Sequence, residues 1–206
     1  MKQQLLMPKA TIQRYPIYLK ALRRLQGENV SKIMSSELAD IVGIAPTTIR
    51  RDFSLIGSLG KQGYGYDVDS LVEIFSNELG VNYNEKIILI GCGNLGRALL
   101  NYNKWANVVG EIVCAFDQKP ATLQQVAIPV YDIKDIKDKL PQGCRIAILC
   151  ITNNIQSTVD QLVDLGIKGF VNFTQEHFST PSNVTVKNVD VVSSIQEIVL
   201  SVNSLK

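Results

Sequence analysis

The sequence predicts an α/β protein in two parts: an N-terminal winged-helix (helix-turn-helix) domain, then a Rossmann-like doubly wound parallel sheet and a C-terminal helix. Three observations predict it. Charge divides the chain, with ten Lys and Arg against four acids in 1–65 (net +6) and eleven against fifteen in 66–206 (net −4). The apolar pattern changes near Lys86 from helical spacing to short apolar runs alternating with helices. At that change a strand runs into Gly91-Cys92-Gly93-Asn94-Leu95-Gly96 and opens a helix.

The 206 residues suffice for one or two domains, and 46% apolar against 19% charged residues excludes long disorder. The overall net charge of only +2 hides the asymmetry, which suggests a polyanion-facing module on an acidic partner domain. A solvated basic face would give the same count. No apolar run approaches the ~20 residues of a membrane span, and Met1 to Leu6 is too short for a signal peptide, so a cytoplasmic protein is expected. Cys92, Cys114, Cys144 and Cys150 form no CxxC pair. Cys114 and Cys150 sit in apolar runs and read as buried small hydrophobes in a reducing compartment. Cys92 lies in the glycine loop, where a redox role stays open. No metal-ligand set is expected.

Taken in order, Ile17, Leu19, Leu22 and Leu25 mark a helix over about Ile12–Leu25, stopped by Gly27, with Pro16 expected in a first turn or at a kink. Ser35 offers an N-cap and Glu37 an acid for a helix reaching Val42. Gly43-Ile44-Ala45 is a turn, and Pro46 suits the start of a further helix through Ile49, Phe53 and Ile56. Glu37–Val42, turn and Pro46–Leu55 have the layout of a helix-turn-helix. Thr47, Thr48, Arg50 and Arg51 lie away from the Ile49/Phe53 side, as hydroxyls and guanidinia reaching for phosphates and base edges would. Gly57 to Tyr66 holds four glycines in its first nine positions, with Lys61, Tyr64 and Tyr66, which suits the hairpin of a wing. A plain helical hairpin followed by a loop is the simpler alternative.

Asp69–Leu79 reads as an amphipathic helix and Val81–Glu85 as the connector between domains. The resulting division is 1–80, 86–190 and 191–206. Strands are expected at Lys86–Ile90, Glu111–Phe116, Val130–Tyr131, Arg145–Ile151, Lys168–Asn172 and Thr185–Asn188. Helices are expected at Leu95–Tyr102, Ile133–Leu140 and Ile155–Leu165. The last stretch carries one apolar stripe, Val191, Val192, Ile195, Ile198, Val199, Val202 and Leu205, to be buried either on its own sheet or across a dimer.

The glycine loop carries the chemistry. Gly91 permits a tight turn, Gly93 lets the backbone approach a pyrophosphate, and Gly96 lets helix and strand pack closely. The next strand ends in Asp117, 21 positions after Gly96, where an acid accepts both ribose hydroxyls and repels a 2′-phosphate. This favours NAD(H) over NADP(H), although Lys119 works slightly the other way. A related ligand such as coenzyme A remains an alternative. An oxidoreductase would need a positioned acid/base and a substrate domain. The single histidine, His177, has no catalytic context, no Tyr-x-x-x-Lys pair stands out, and little chain is left for a second domain, so no catalytic residue is expected. The dinucleotide then reads as a sensed ligand. A small NAD-dependent enzyme and a repressor answering another ligand are the rival readings.

With these pieces assembled, the chain resembles the Rex family of redox-sensing transcriptional repressors from end to end. The matching stretches are Pro8-Lys-Ala-Thr11, Thr48-Ile-Arg-Arg-Asp52, Gly60-Lys-Gln-Gly-Tyr-Gly-Tyr66, Gly91 to Tyr102, Ala115-Phe-Asp117, Ile128-Pro-Val-Tyr131 and Asn188-Val-Asp190. The resemblance implies a homodimer on double-stranded, inverted-repeat operator DNA, with a C-terminal helix swapped into the partner subunit. Neither a membrane nor a protein substrate is implied. NADH would favour a closed arrangement that releases DNA, and NAD+ would compete without driving release. Position by position, Arg50, Arg51 and Lys61 would contact DNA, while Gly91, Gly93, Asn94, Leu95, Gly96 and Asp117 would hold adenosine and pyrophosphate. Tyr102 would stand near the nicotinamide, with Asp190 answering it and Lys20 as the base with which that acid can pair. The chain departs from the family at Leu55-Ile56 and Gln62. It also departs at Cys150-Ile151-Thr152, in the nicotinamide crevice, and at Thr174-Gln175. The last two imply weaker discrimination between NADH and NAD+.

Overall fold

The computed structural model describes residues 7–57, 60–61, 64–80, 85–102, 109–120, 127–174 and 176–204. It divides into two compact units, Met1–Asn82 and Tyr83–Lys206.

In the first unit, α1 (Lys9–Gly27) buries Thr11, Tyr15, Tyr18, Leu19, Leu22 and Leu25, a stripe at three- and four-residue spacing. The expected apolar marker Ile17 is instead exposed, and the tyrosines take its place in the core. Pro16 lies in mid-helix rather than in a first turn. The carbonyl it deprives of a partner belongs to the exposed Ile12, where water can replace the bond.

The two central helices are α2 (Ser35–Val42) and α3 (Pro46–Ser54), joined through Gly43, whose φ of 67° is left-handed. Ser35 is not the cap of α2 but its first helical residue, and Met34 holds the cap position. The Met34 N–H donates to Glu37 Oε2 at 2.7 Å. Pro46 stands at the start of α3, as expected. A two-residue strand, β1 (Lys32–Ile33), joins β2 (Gly60–Lys61) and β3 (Gly65–Asp67) in an antiparallel sheet ordered β1-β3-β2. α4 (Val68–Glu78) follows, capped by Asp67, which accepts from Ser70 N at 2.8 Å. Edge-on aromatic contacts tie the helices together: Tyr15 to Phe75 at 4.9 Å and Tyr18 to Phe53 at 5.4 Å between ring centres.

The second unit holds β4 (Glu85–Ile90), α5 (Asn94–Leu100), β5 (Gly110–Asp117), β6 (Val130–Asp132) and a short 3-10 turn at Ile133–Asp135 entering α6 (Ile136–Lys139). β7 (Ile146–Leu149), α7 (Ile155–Asp164), β8 (Gly169–Asn172), β9 (Thr185–Asn188) and α8 (Val191–Ser204) complete it. The six strands are parallel, in the order β6-β5-β4-β7-β8-β9. The order reverses between β4 and β7, the switch point at which such sheets leave a crevice beyond their carboxyl ends. β4 shows why its run is continuously apolar: Ile88 and Ile90 pack with Ile155, Val159 and Leu162 of α7 on one face. On the other, Ile87 and Leu89 pack in a second cluster with Leu99 and Leu100 of α5. The strand expected over Arg145–Ile151 is shorter, because Cys150 and Ile151 turn out of the sheet to line the crevice.

No residue of α8 is buried. Ile195 and Ile198 are 58% and 64% exposed, which overturns burial on its own sheet. Leu205 lies outside the described residues. Among the described residues no helix is long and apolar enough to cross a membrane.

Candidate functional site

The crevice is built from the glycine loop. Gly91 has φ +92°, and a Cβ there would stand 2.6 Å from the Cys150 carbonyl oxygen. Two main-chain bonds lock the loop across the switch point: Gly91 N–H to Phe116 O and Cys150 N–H to Ile90 O, each 2.8 Å. A Cβ on Gly96 would overlap the Gly91 carbonyl, so α5 packs on the strand end only because that residue has no side chain. Gly93 is exposed and has nothing within 4 Å of a built Cβ. The three glycines therefore differ: two are fixed by neighbours and the middle one faces open space.

Asp117 joins the carboxyl end of β5 to this loop. Its Oδ2 accepts from Cys92 N–H at 2.7 Å and its Oδ1 from Lys119 N–H at 2.8 Å. Each carboxylate oxygen has a second lone pair for a further donor. Arg97 of α5 donates from Nε to Cys92 O at 3.2 Å, closing the loop from below. The Cys92 side chain points into the protein. Burial first, then Asp117 and Cys150, push its thiol up to about 12, and burial pushes Cys150 to about 11. Neither is a thiolate at neutral pH.

Two cavities flank the loop. One, of about 260 Å³, is lined by Gly91, Gly93, Asp117, Gln118 and Ile133 among others. The second, of about 510 Å³, is lined by Asn94, Leu95, Ile155, Phe173, Thr174 and Glu176. Gly93, Cys150, Ile151 and Thr152 border both, so one elongated ligand could cross from one to the other over Gly93. Tyr102 and Asp190 are not among the described residues lining these cavities. Tyr102 is exposed just beyond α5. Asp190 stands at the start of α8, where its carboxylate accepts from Ser193 N and Oγ at 3.0 and 2.6 Å. Those bonds hold its carboxyl below the usual range. Lys20 is exposed on α1, in the other unit.

On α3, Thr47, Arg50 and Arg51 are exposed and Thr48 half-buried. Arg50 Nη1 donates to Ser35 Oγ at 2.9 Å, which steadies it against α2. Tyr64 at the hairpin tip is 71% exposed. Lys61 is placed on β2 by its backbone, and its side chain lies outside the described residues, as do Gln62 and Gln175. Beneath this surface lies a group that the sequence reading did not single out. Asp52, 1% exposed, accepts from Thr11 Oγ1 (3.0 Å), Tyr18 OH (2.7 Å) and Arg14 Nε and Nη2 (2.6 and 2.7 Å). Burial pushes its carboxyl up, but the bonds from Arg14, Tyr18 and Thr11 outweigh this and hold it below the usual range. The signal available was an acid beside Phe53 and three residues after Ile49, on the apolar side of its helix.

Comparisons with known proteins cover both units. A family model described as "Putative DNA-binding protein N-terminus" matches residues 7–54, and one described as "CoA binding domain" matches 82–176. The redox-sensing transcriptional repressor Rex of Lactobacillus acidophilus is 43% identical over 97% of this chain and 96% of its own. The redox-sensing transcriptional repressor Rex 2 of Enterococcus faecalis is 40% identical over 94% and 92%. A crystal structure of RSP in complex with beta-NAD+ and operator DNA superposes with a TM-score of 0.90 at 32% identity, covering 98% of this chain and 94% of that one. A structure of RSP with beta-NADH gives 0.87 at 30% identity, covering 98% and 96%.

Proposed function

The chain belongs to the Rex family of redox-sensing transcriptional repressors, and on that premise we propose that it binds NAD(H) in the crevice over Gly93 and an inverted-repeat operator through α3 and the β2–β3 hairpin, NADH releasing the DNA. The observation that carries the cofactor reading is Asp117. Its carboxylate is anchored on the Cys92 N–H yet keeps lone pairs toward the first cavity, beside a glycine with open space above it. A ribose diol donates to such a group. A 2′-phosphate, or the 3′-phosphate of coenzyme A, would place like charges together, so NAD(H) is favoured over both despite the description of the second family model.

In this reading Gly91 and Gly96 shape the loop, Gly93, Asn94 and Leu95 lie along the pyrophosphate, and Cys92 supplies the N–H that orients Asp117. Cys150 and Thr152 border both cavities and lie on the nicotinamide side. When bound, the nicotinamide is cationic if oxidised and neutral if reduced. The second cavity is walled by Leu95, Ile151, Ile155 and Phe173, where desolvation costs the neutral ring less, and by the exposed Glu176, whose charge water screens. That sets the direction of preference toward NADH, while the departures at Cys150–Thr152 and Thr174 narrow its margin. Tyr102, Asp190 and Lys20 act in the switch between DNA-binding and released arrangements.

Thr47, Thr48, Arg50, Arg51, Lys61 and Tyr64 face the DNA, the bases on phosphates and base edges. Residues 1–80 are the operator-binding domain, 86–190 the dinucleotide domain and 191–206 the dimerisation helix of a cytoplasmic homodimer. The exposed stripe of α8 supports the last assignment. Calorimetric titration tests the cofactor reading. NADH and NAD+ should bind in the micromolar range or tighter, NADP+ and coenzyme A at least tenfold more weakly, with Asp117→Asn narrowing that gap by about tenfold. Equal affinity for NADP+ would overturn it.

A further inference from the structure

Asn172, the last residue of β8, is a buried amide that holds two segments at once, the residue being 3% exposed. On one side Oδ1 accepts from Thr174 N–H at 2.9 Å, and Nδ2 donates to Glu176 O at 3.4 Å. Thr174 and Glu176, with Phe173, line the second cavity. On the other side Nδ2 donates to Asn188 Oδ1 at 3.0 Å, and the Asn172 carbonyl accepts from Val189 N–H at 2.8 Å. Asn188 is the last residue of β9, in register with Asn172. Asp190, two residues on, accepts from Ser193 and so fixes the first turn of α8.

A buried carboxamide with its acceptor and its donors engaged has one low-energy placement, because any shift leaves a polar group without a partner. Displacing the cavity wall at Thr174 and Glu176 therefore strains the bond to Asn188, and moving the end of β9 strains the wall. Asn188 is exposed, so water can take over its side of the bond. The Asn188 end is therefore where the link can open, while Asn172 keeps its bonds to Thr174 and Glu176.

We propose that Asn172 is a positioning residue through which filling of the second cavity and the placement of α8 are set together. This rests on reading the crevice as the dinucleotide site. In that reading the ligand's nicotinamide half acts on the wall, the Asn172–Asn188 bond carries the change to the start of α8, and the dimer arrangement follows.

The test uses the full chain and two variants. Asn188→Ala removes the exposed acceptor and leaves Asn172 with Thr174 and Glu176. Asn172→Asp keeps the shape and the acceptor but removes both donors, and its melting temperature is followed alongside. Three quantities are read for each: NADH affinity without DNA, operator affinity without ligand, and operator affinity at saturating NADH. Asn188→Ala should keep the first two within about threefold of the parent while the NADH-induced weakening of operator binding shrinks about tenfold. A merely structural role would leave that ratio unchanged, and an unchanged ratio in Asn188→Ala overturns the proposal even where Asn172→Asp fails to fold. A parent chain that binds operator equally with and without NADH would sink the functional reading itself, and this inference with it.

Discussion

Asp52 is buried on α3, and its carboxylate pins that helix to α1 through Arg14, Tyr18 and Thr11. Asp52→Asn preserves the shape of the side chain but replaces a carboxylate that receives four donors with an amide that can accept at one oxygen only. Two of those donors belong to Arg14, whose side chain is 25% exposed against 2% for Asp52. Breaking a buried ion pair from one side costs about 3–5 kcal/mol, and the partial exposure of Arg14 puts this case near the lower end, about 3 kcal/mol. The loss should be local to the first unit, because every partner lies on α1. Amide exchange reads it directly: protection in α1 and α3 should fall by a factor on the order of 100, while the strands of the second unit keep theirs.

Acidity should act in the same direction. The folded-state pKa of Asp52 is depressed, so its contribution is fully present above the unfolded value near 4 and is lost as pH falls through the lower folded value. Below about pH 4 the parent should approach the stability of Asp52→Asn. The tyrosines do not interfere, since burial holds Tyr15 at about 12 and raises Tyr18 as well. A loss below about 1 kcal/mol at pH 7, or a parallel acid profile for parent and variant, would refute the claim that this pair pins α3 to α1.

Two other perturbations follow from the geometry. Gly96→Ala meets the Gly91 carbonyl and should lower the melting temperature by several degrees, whereas Gly93→Ala enters open space and should melt like the parent while binding NADH at least tenfold more weakly. Equal melting of the two would contradict the separate roles of those glycines. Ile195→Arg/Ile198→Arg places two charges in the exposed stripe of α8 and should turn a dimer into a monomer at micromolar concentration by light scattering, without unfolding the sheet. Retention of the dimer would remove α8 from the interface.

What sequence could reveal followed from what is periodic or locally constrained. The glycine loop and Asp117 were legible because their spacing is set by one βα unit, whereas the bond from Cys92 N–H that anchors Asp117 beside the loop was not. The turn at Gly43 and the start at Pro46 were legible for the same local reason. β1 was not, because two residues become a strand only through β3, which lies more than thirty positions away. Pro16 lies within α1 on its exposed side, where water can replace the missing bond, whereas local rules alone offer only a first turn or a kink. Ser35 has the local look of a cap, yet its hydroxyl is taken by Arg50. Asp52 and Asn172 were not legible for one reason: their importance lies in partners distant in sequence, and a single chain gives no sign of which buried polar groups will be satisfied.

The central claim is that one chain couples dinucleotide binding in the crevice to operator binding at α3. A gel shift on an inverted-repeat operator, titrated separately with NADH and NAD+, tests it most directly. A stable complex is expected without ligand, with release by NADH at micromolar concentration and retention of the complex by NAD+ over the same range. Equal release by both dinucleotides, or by neither, would contradict it.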